Sequence, residues 1–406
     1  MRNHYKIFSP GKIGRLTLSN RLVRSATWDP SILKDRQMKP EVLELYRRLA
    51  LGGAGMLITG DFSTLPENIF EVSAAEHGPV SYENVRIENF AQLAQTVHHA
   101  NPDCKIIAQI SIDYQGSWVA PSEISSPYTT QRPRPLSLEE IQTIVGYCAE
   151  AIVHLEQEGF DGVQLHAAHG GLLGSFLSPY SNRRTDAYGG AVENRTRLIR
   201  EIVSAARDRS PDFPILIKMN CTDYIEGGVD AQDFPGLARA VQDAGVDAIE
   251  ISGGRWDCLV RSEQELGFRP VPAAESHTRI KSPEKQSYFL KYAELLALDI
   301  PVILCGGNRD VERLEQIVVQ GKVDFVSMCR PLISEPDLPR RWLEGRGGSG
   351  VDCISCNSCI YDMWTHVQSS EPWIATCLVK QNKAGVKAAQ RWLSTWVKEN
   401  TLNKEV

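Results

Sequence analysis

The chain has no apolar run long enough to cross a bilayer, and its N-terminus, MRNHYKIFSPGKIG, has no apolar segment of the kind a secretory signal needs. A cytoplasmic protein without membrane contacts is expected. Positive charge is not in excess either. Lys and Arg number 44 against 50 Asp and Glu, for a net charge of −6 and a pI near 5.9. That balance gives nucleic acid and anionic membrane surfaces little to bind. No GxGxxG follows the first strand candidate, which argues against an open dinucleotide-binding sheet. A disulfide framework is not expected without a secretion signal, so the ten cysteines are read as reduced. Cys104, Cys148, Cys221, Cys258, Cys305 and Cys329 are scattered, most of them in apolar contexts that suit buried thiols.

The chain has 406 residues, 42% hydrophobic and 23% charged, enough for a large core. Short, nearly continuous apolar runs alternate eight times with helical patterns. The runs fall at 21–27, 55–60, 105–110, 161–167, 214–219, 247–252, 301–306 and 323–328. Such runs suit strands buried on both faces. Ser137 with Glu140 predicts a capping box at the start of one long helix. Eight strand–helix pairs predict a closed (β/α)8 barrel over residues 1–345. A glycine-rich linker, GRGGSG, then leads into residues 346–406, a cysteine cluster and an amphipathic helix, KAAQRWLSTWVKEN. That helix is expected to dock on the barrel or on a second copy of the chain in a homo-oligomer.

In such a barrel, function sits at the C-terminal ends of the strands. The stretch QLHAAHGGLLGSFLSPYSNRRTDAYGGAVENR, residues 164–195, starts at one of those ends. It delivers His166 and His169, then a long polar loop, then a helix expected to begin at Val192. Two imidazoles so placed can donate N–H groups to a ligand oxygen; a satisfied core histidine is the plainer alternative. Lys218 ends the apolar strand ILIKM, where a lysine needs a negative or electron-rich partner. Gln109 ends another buried strand and can face a flat heterocycle. Gly253, Gly254, Gly307 and Asn308 follow the late strands, and Cys329 and Arg330 follow the last. Glycines there let a backbone approach a phosphate, and Arg330 can fork onto it. Tight turns alone are the alternative.

These residues resemble the old yellow enzyme family of FMN-dependent oxidoreductases. The resemblance covers about residues 5–345 and rests on FSPGKIGRLTLSNRLVRSAT, the central histidine motif, ILIKMNCTDY and DFVSMCRPLISEPDL. It implies FMN across the barrel mouth. Ser25, Ala26, Thr27 and Gly60 or Asp61 would lie along the ring, with Gln109 on its pyrimidine edge and Lys218 at N1/O2. The glycines, Asn308, Cys329 and Arg330 would surround the phosphate. It further implies hydride passing from NADH or NADPH through flavin N5 to an activated alkene, a small-molecule substrate whose carbonyl His166 and His169 would hold.

The sequence departs from the family in several places. Gly171 stands where the family has a proton-donating tyrosine, so Tyr180, Tyr114 or water would have to serve. An isomerase or dehydrogenase is the enzymatic alternative, and a non-catalytic flavin- or metal-binding interaction protein the alternative of another class. Trp28 replaces a small residue near the flavin edge and would shape the pocket, as Tyr114 would. Residues 255–285 read as an insertion over the substrate face. The late cysteines Cys353, Cys356 and Cys359, with Cys377, are similar to the cluster of the 2,4-dienoyl-CoA reductase branch, with altered spacing. Zinc, a [4Fe–4S] cluster and free thiols all stay open.

Overall fold

Eight short strands pair in parallel around a closed ring. The computed structural model describes residues 2–27, 38–63, 90–112, 119–124, 132–270, 273–366 and 374–381, with short helical pieces between 386 and 395. Trp28 and Tyr114 lie outside the described residues. In chain order the barrel strands are β1 (Leu22–Arg24), β2 (Met56–Ser63), β3 (Lys105–Ser111), β4 (Gly162–Ala167), β5 (Ile215–Asn220), β6 (Ala248–Ser252), β7 (Val302–Leu304) and β8 (Phe325–Met328). Each pairs with its neighbours in sequence, and β8 closes on β1. All six residues of β5 are buried, as a strand covered on both faces should be.

The core divides in two. A large cluster fills the space between the barrel's outer surface and the helices. A smaller one fills the barrel itself, where Val23, Met56, Ile58, Ile107, Leu216, Ala248, Ile303 and Phe325 meet. An N-terminal hairpin, Gly11–Ile13 paired with Leu16–Leu18, adds Ile13, Leu16 and Leu18 to that inner cluster. Around the ring the long helix Leu138–Gln157 carries the Ser137–Glu140 capping box, with both reciprocal bonds present. Among the described residues no helix is long and apolar enough to cross a membrane.

Two stretches depart from the sequence pattern. The run 301–306 yields a strand of only three residues, because Gly306 and Gly307 turn with φ of 95° and 75°. The helical pattern around 285–297 yields one turn, Leu290–Ala293, preceded by Ser287 at a left-handed φ of 49°. The bond Tyr288 N→Gly306 O ties that segment to the β7 end, and tertiary pairing there outweighs local helix preference.

Candidate active site

The register of the barrel builds the site. Asp61 on β2 is level with Gln109 on β3, Gln109 with Gln164 on β4, His166 with Lys218 on β5, and Lys218 with Glu250 on β6. Register partners in parallel strands point the same way, so polar side chains gather at one level of the barrel.

Glu250 is at the centre. It is fully buried and lies 3.3 Å from Lys218 Nζ. Its carboxylate accepts from Ser25 Oγ at 2.7 Å, Ser327 Oγ at 2.6 Å and Gln164 Nε2 at 2.9 Å. Lys218 Nζ donates to Ser25 Oγ at 2.9 Å, and Gln109 Nε2 donates to Gln164 Oε1 at 2.7 Å. Burial pushes the Glu250 carboxyl up, but the Lys218 charge and these donors outweigh it and hold the group below its ordinary value. Burial alone would lower Lys218; Glu250 raises it instead. The pair is therefore ionised, and Lys218 keeps its positive charge in a dry surrounding.

His166 Nε2 and His169 Nδ1 lie 3.1 Å apart, and His169 Nε2 lies 2.7 Å from Ser252 Oγ. His169 takes a left-handed φ of 58°, with its backbone N–H donating to Asn220 Oδ1 at 3.2 Å. Burial lowers both imidazoles, with Lys218 adding to the effect: His166 falls to about 4 and His169 well below its ordinary value. Both rings are neutral near pH 7, and each has one N–H. The mutual bond uses one of these, so a ligand oxygen can receive both only by opening that bond.

A cavity of about 260 Å³ opens above this network. Ser25, Ala26, Thr27, Asp61, Gln109, His166, His169 and Lys218 line one part of it, and Gly307, Asn308, Cys329 and Arg330 another. Gly60, Gly253, Gly254 and Tyr180 are not on its lining. The Arg255 guanidinium lies 5.6 Å from the Tyr180 ring centre. What fits the late glycines here is aromatic packing. An added Cβ would come within 2.8 Å of Phe289 at Gly253, and within 2.6 Å of Tyr288 and Phe289 at Gly306. Asn308 is fully used inside the protein, donating to Leu304 O and Ser327 O and accepting from Ser287 Oγ. The helix after β8, Arg330–Ser334, has only five residues.

Several residues of the buried network beneath the cavity, and of its wall, were not singled out from the sequence. Gln164 and Glu250 were passed over inside their strands, although a lone acid in the apolar run DAIEIS is the natural partner for a buried lysine. Trp256, Glu275 and Tyr288 come from the segment between β6 and β7. Cys359 and Ile360 come from the C-terminal extension, which therefore reaches the cavity. Cys353 Sγ lies 3.8 Å from Arg309 Nη1, and Cys377 leads into the short helix Leu378–Gln381. Among the described residues, no group of three or more Cys, His, Asp or Glu is arranged to hold a metal ion.

A family model described as NADH:flavin oxidoreductase / NADH oxidase matches residues 6–348. The chain is similar to an NADH oxidase of Thermoanaerobacter brockii, 31% identical over 377 residues, which cover 88% of this chain and 54% of that protein. It is similar to a cinnamate reductase of Clostridium sporogenes, 29% identical over 380 residues, covering 88% and 55%. The chain thus spans little more than half the length of these relatives. A solved 2-naphthoyl-CoA reductase in complex with 2-naphthoyl-CoA has a similar fold, with a TM-score of 0.77 and 24% identity over 96% of this chain and 58% of that one.

Proposed function

Because the chain belongs to the NADH:flavin oxidoreductase / NADH oxidase family, we propose that it is an FMN-dependent oxidoreductase that uses NADH or NADPH to reduce the C=C bond of an electron-poor, enone-type substrate. The observation that carries this reading is the cavity wall on which a charged Lys218, backed by Glu250, stands beside two neutral imidazoles.

The cavity's side chains suit FMN. Lys218 is a cation in a dry setting, matched to a ring that becomes negative on reduction. Among the described residues, Gln109 Oε1 accepts no bond, and it can accept from a heterocycle N–H. Among the described residues, Arg330 is bonded through Nη1, which leaves Nε and Nη2 for a phosphate. FMN, when bound, supplies hydride transfer. His166 and His169 then hold the substrate's carbonyl oxygen and stabilise charge building there, as an oxyanion hole does.

A second reading is favoured by one observation. Gly171 lines the cavity with no side chain, and Tyr180 is not on the lining. An FMN-dependent isomerase or dehydrogenase would not need a protein acid at that place. Anaerobic stopped-flow spectroscopy separates the readings. Bleaching of bound flavin by NADH or NADPH, followed by recolouring with 2-cyclohexenone, is expected. Bleaching by neither nucleotide would overturn the reductase reading. Recolouring too slow for turnover at about 1 per second would favour the second.

A further inference from the structure

We propose that the C-terminal extension, through Asn357 and Ser355, positions Arg330 and Arg309 as the phosphate-gripping pole of the flavin cavity, and so makes this protein select FMN over riboflavin. The proposal rests on the FMN reading above. Its own ground is a set of buried contacts between a segment beyond the barrel and two arginines on the cavity wall.

Arg309 follows β7 and Arg330 follows β8, and both line the cavity. A guanidinium on a long side chain has many rotamers to lose, so each is held in place by a clasp. For Arg330 the clasp is double. Its Nη1 donates to His277 O at 2.8 Å and to Asn357 Oδ1. For Arg309 the clasp is Ser355, whose Oγ accepts from Nη1 at 2.5 Å. In each case one guanidinium nitrogen is held by the extension, and among the described residues the rest of the fork makes no bond.

The clasping residues are themselves fixed. Ser355 and Asn357 are each 1% exposed. Asn357 Nδ2 donates to Ser276 O at 2.7 Å, which sets the amide's orientation and turns Oδ1 toward Arg330. Arg279 N donates to Ser355 O at 3.2 Å. Both residues take left-handed backbone, with φ of 55° and 58°. Glycine would adopt that backbone more easily; what Ser and Asn add is a side chain on each guanidinium. One turn further on, Cys359 and Ile360 complete the wall. Burial raises the carboxyl of Glu275, on the same wall, which weakens its opposition to an anion.

A phosphate that both arginines reach is the feature that distinguishes FMN from riboflavin. Asn357 and Ser355 are positioning residues, acting on the ligand only through the arginines. The test is a fluorescence titration of the protein, stripped of flavin, with FMN and with riboflavin. Asn357→Gly removes the clasp and leaves the backbone at ease, and Ser355→Gly does the same independently for Arg309. Each is expected to weaken FMN by about tenfold, the scale of a hydrogen bond to a charged group, while riboflavin changes by less than about twofold. Equal weakening of both flavins, or no change in FMN affinity in whichever variant folds, would overturn the proposal. If the unaltered protein binds neither flavin, the FMN reading itself fails, and this inference with it.

Discussion

A single buried lysine sets much of the chemistry. Lys218 was legible in the sequence because an ammonium in an apolar strand requires a counter-charge, and the structure supplies Glu250 at 3.3 Å. Glu250→Ala strands that charge and is expected to cost about 3–5 kcal/mol, read as a fall in the urea midpoint. Adding Lys218→Met to that variant should recover part of the loss, since no buried charge is then left unpaired. The histidines were legible as a pair, but their mutual bond was not, because spacing does not reveal that His169 turns left-handed. His166 has a folded value near 4, below its ordinary 6.5. As pH falls through that window the unfolded chain takes up a proton the folded one refuses, so stability drops. His166→Asn should therefore lose less stability between pH 6.5 and 4 than the unaltered protein, in urea melts at the two ends. Glu275 has the opposite sign. Its folded value is raised by burial, so the folded state is penalised once pH climbs past the ordinary carboxyl range. Glu275→Gln should melt higher than the parent at pH 8, and the gain should vanish near pH 4.

At the scale of elements, the sequence was most readable where a strand is buried on both faces and least where a loop is held by contacts distant in sequence. The eight apolar runs each became a barrel strand, and Val192 does begin a helix with Glu193 in its first turn. The long loop before it is a rigid piece. Arg184 bonds Asp186 and the backbone oxygens of Pro121 and Leu136. Asn182 bonds Phe176 O and Tyr188 O, and Arg195 grips Asp233. Composition announced a polar loop there but not these partners, of which Pro121, Leu136 and Asp233 come from other segments. Gly189 lies so close that an added Cβ would be 2.1 Å from Arg184 O, a backbone atom with little freedom to move. Gly189→Ala should then cost about 1–3 kcal/mol through overpacking and lower the melting temperature. Long segments such as the one between β6 and β7 are the hardest to read. Their side chains Trp256, Glu275 and Tyr288 reach the cavity through a path that no local periodicity encodes.

The molecule as a whole divides its labour between the two ends of the barrel. At the C-terminal end of the strands, packing is given up for polar residues: an ion pair, two glutamines and two imidazoles surround a cavity instead of filling it. At the opposite end the N-terminal hairpin inserts Ile13, Leu16 and Leu18 among the inner residues of the strands. That hairpin was not legible in the sequence, since three-residue strands leave no periodic signal. The separation has a measurable consequence. Leu18 is fully buried, and Leu18→Ala should cost about 2–5 kcal/mol for the lost transfer energy and the cavity left behind. Because that cavity opens at the far end of the barrel, the variant's affinity for FMN, measured below its melting range, should stay within about twofold of the parent's, as sites at opposite ends add independently. A matching loss of FMN affinity would mean that the barrel carries strain from floor to mouth and that the polar network is held in place by the packing beneath it.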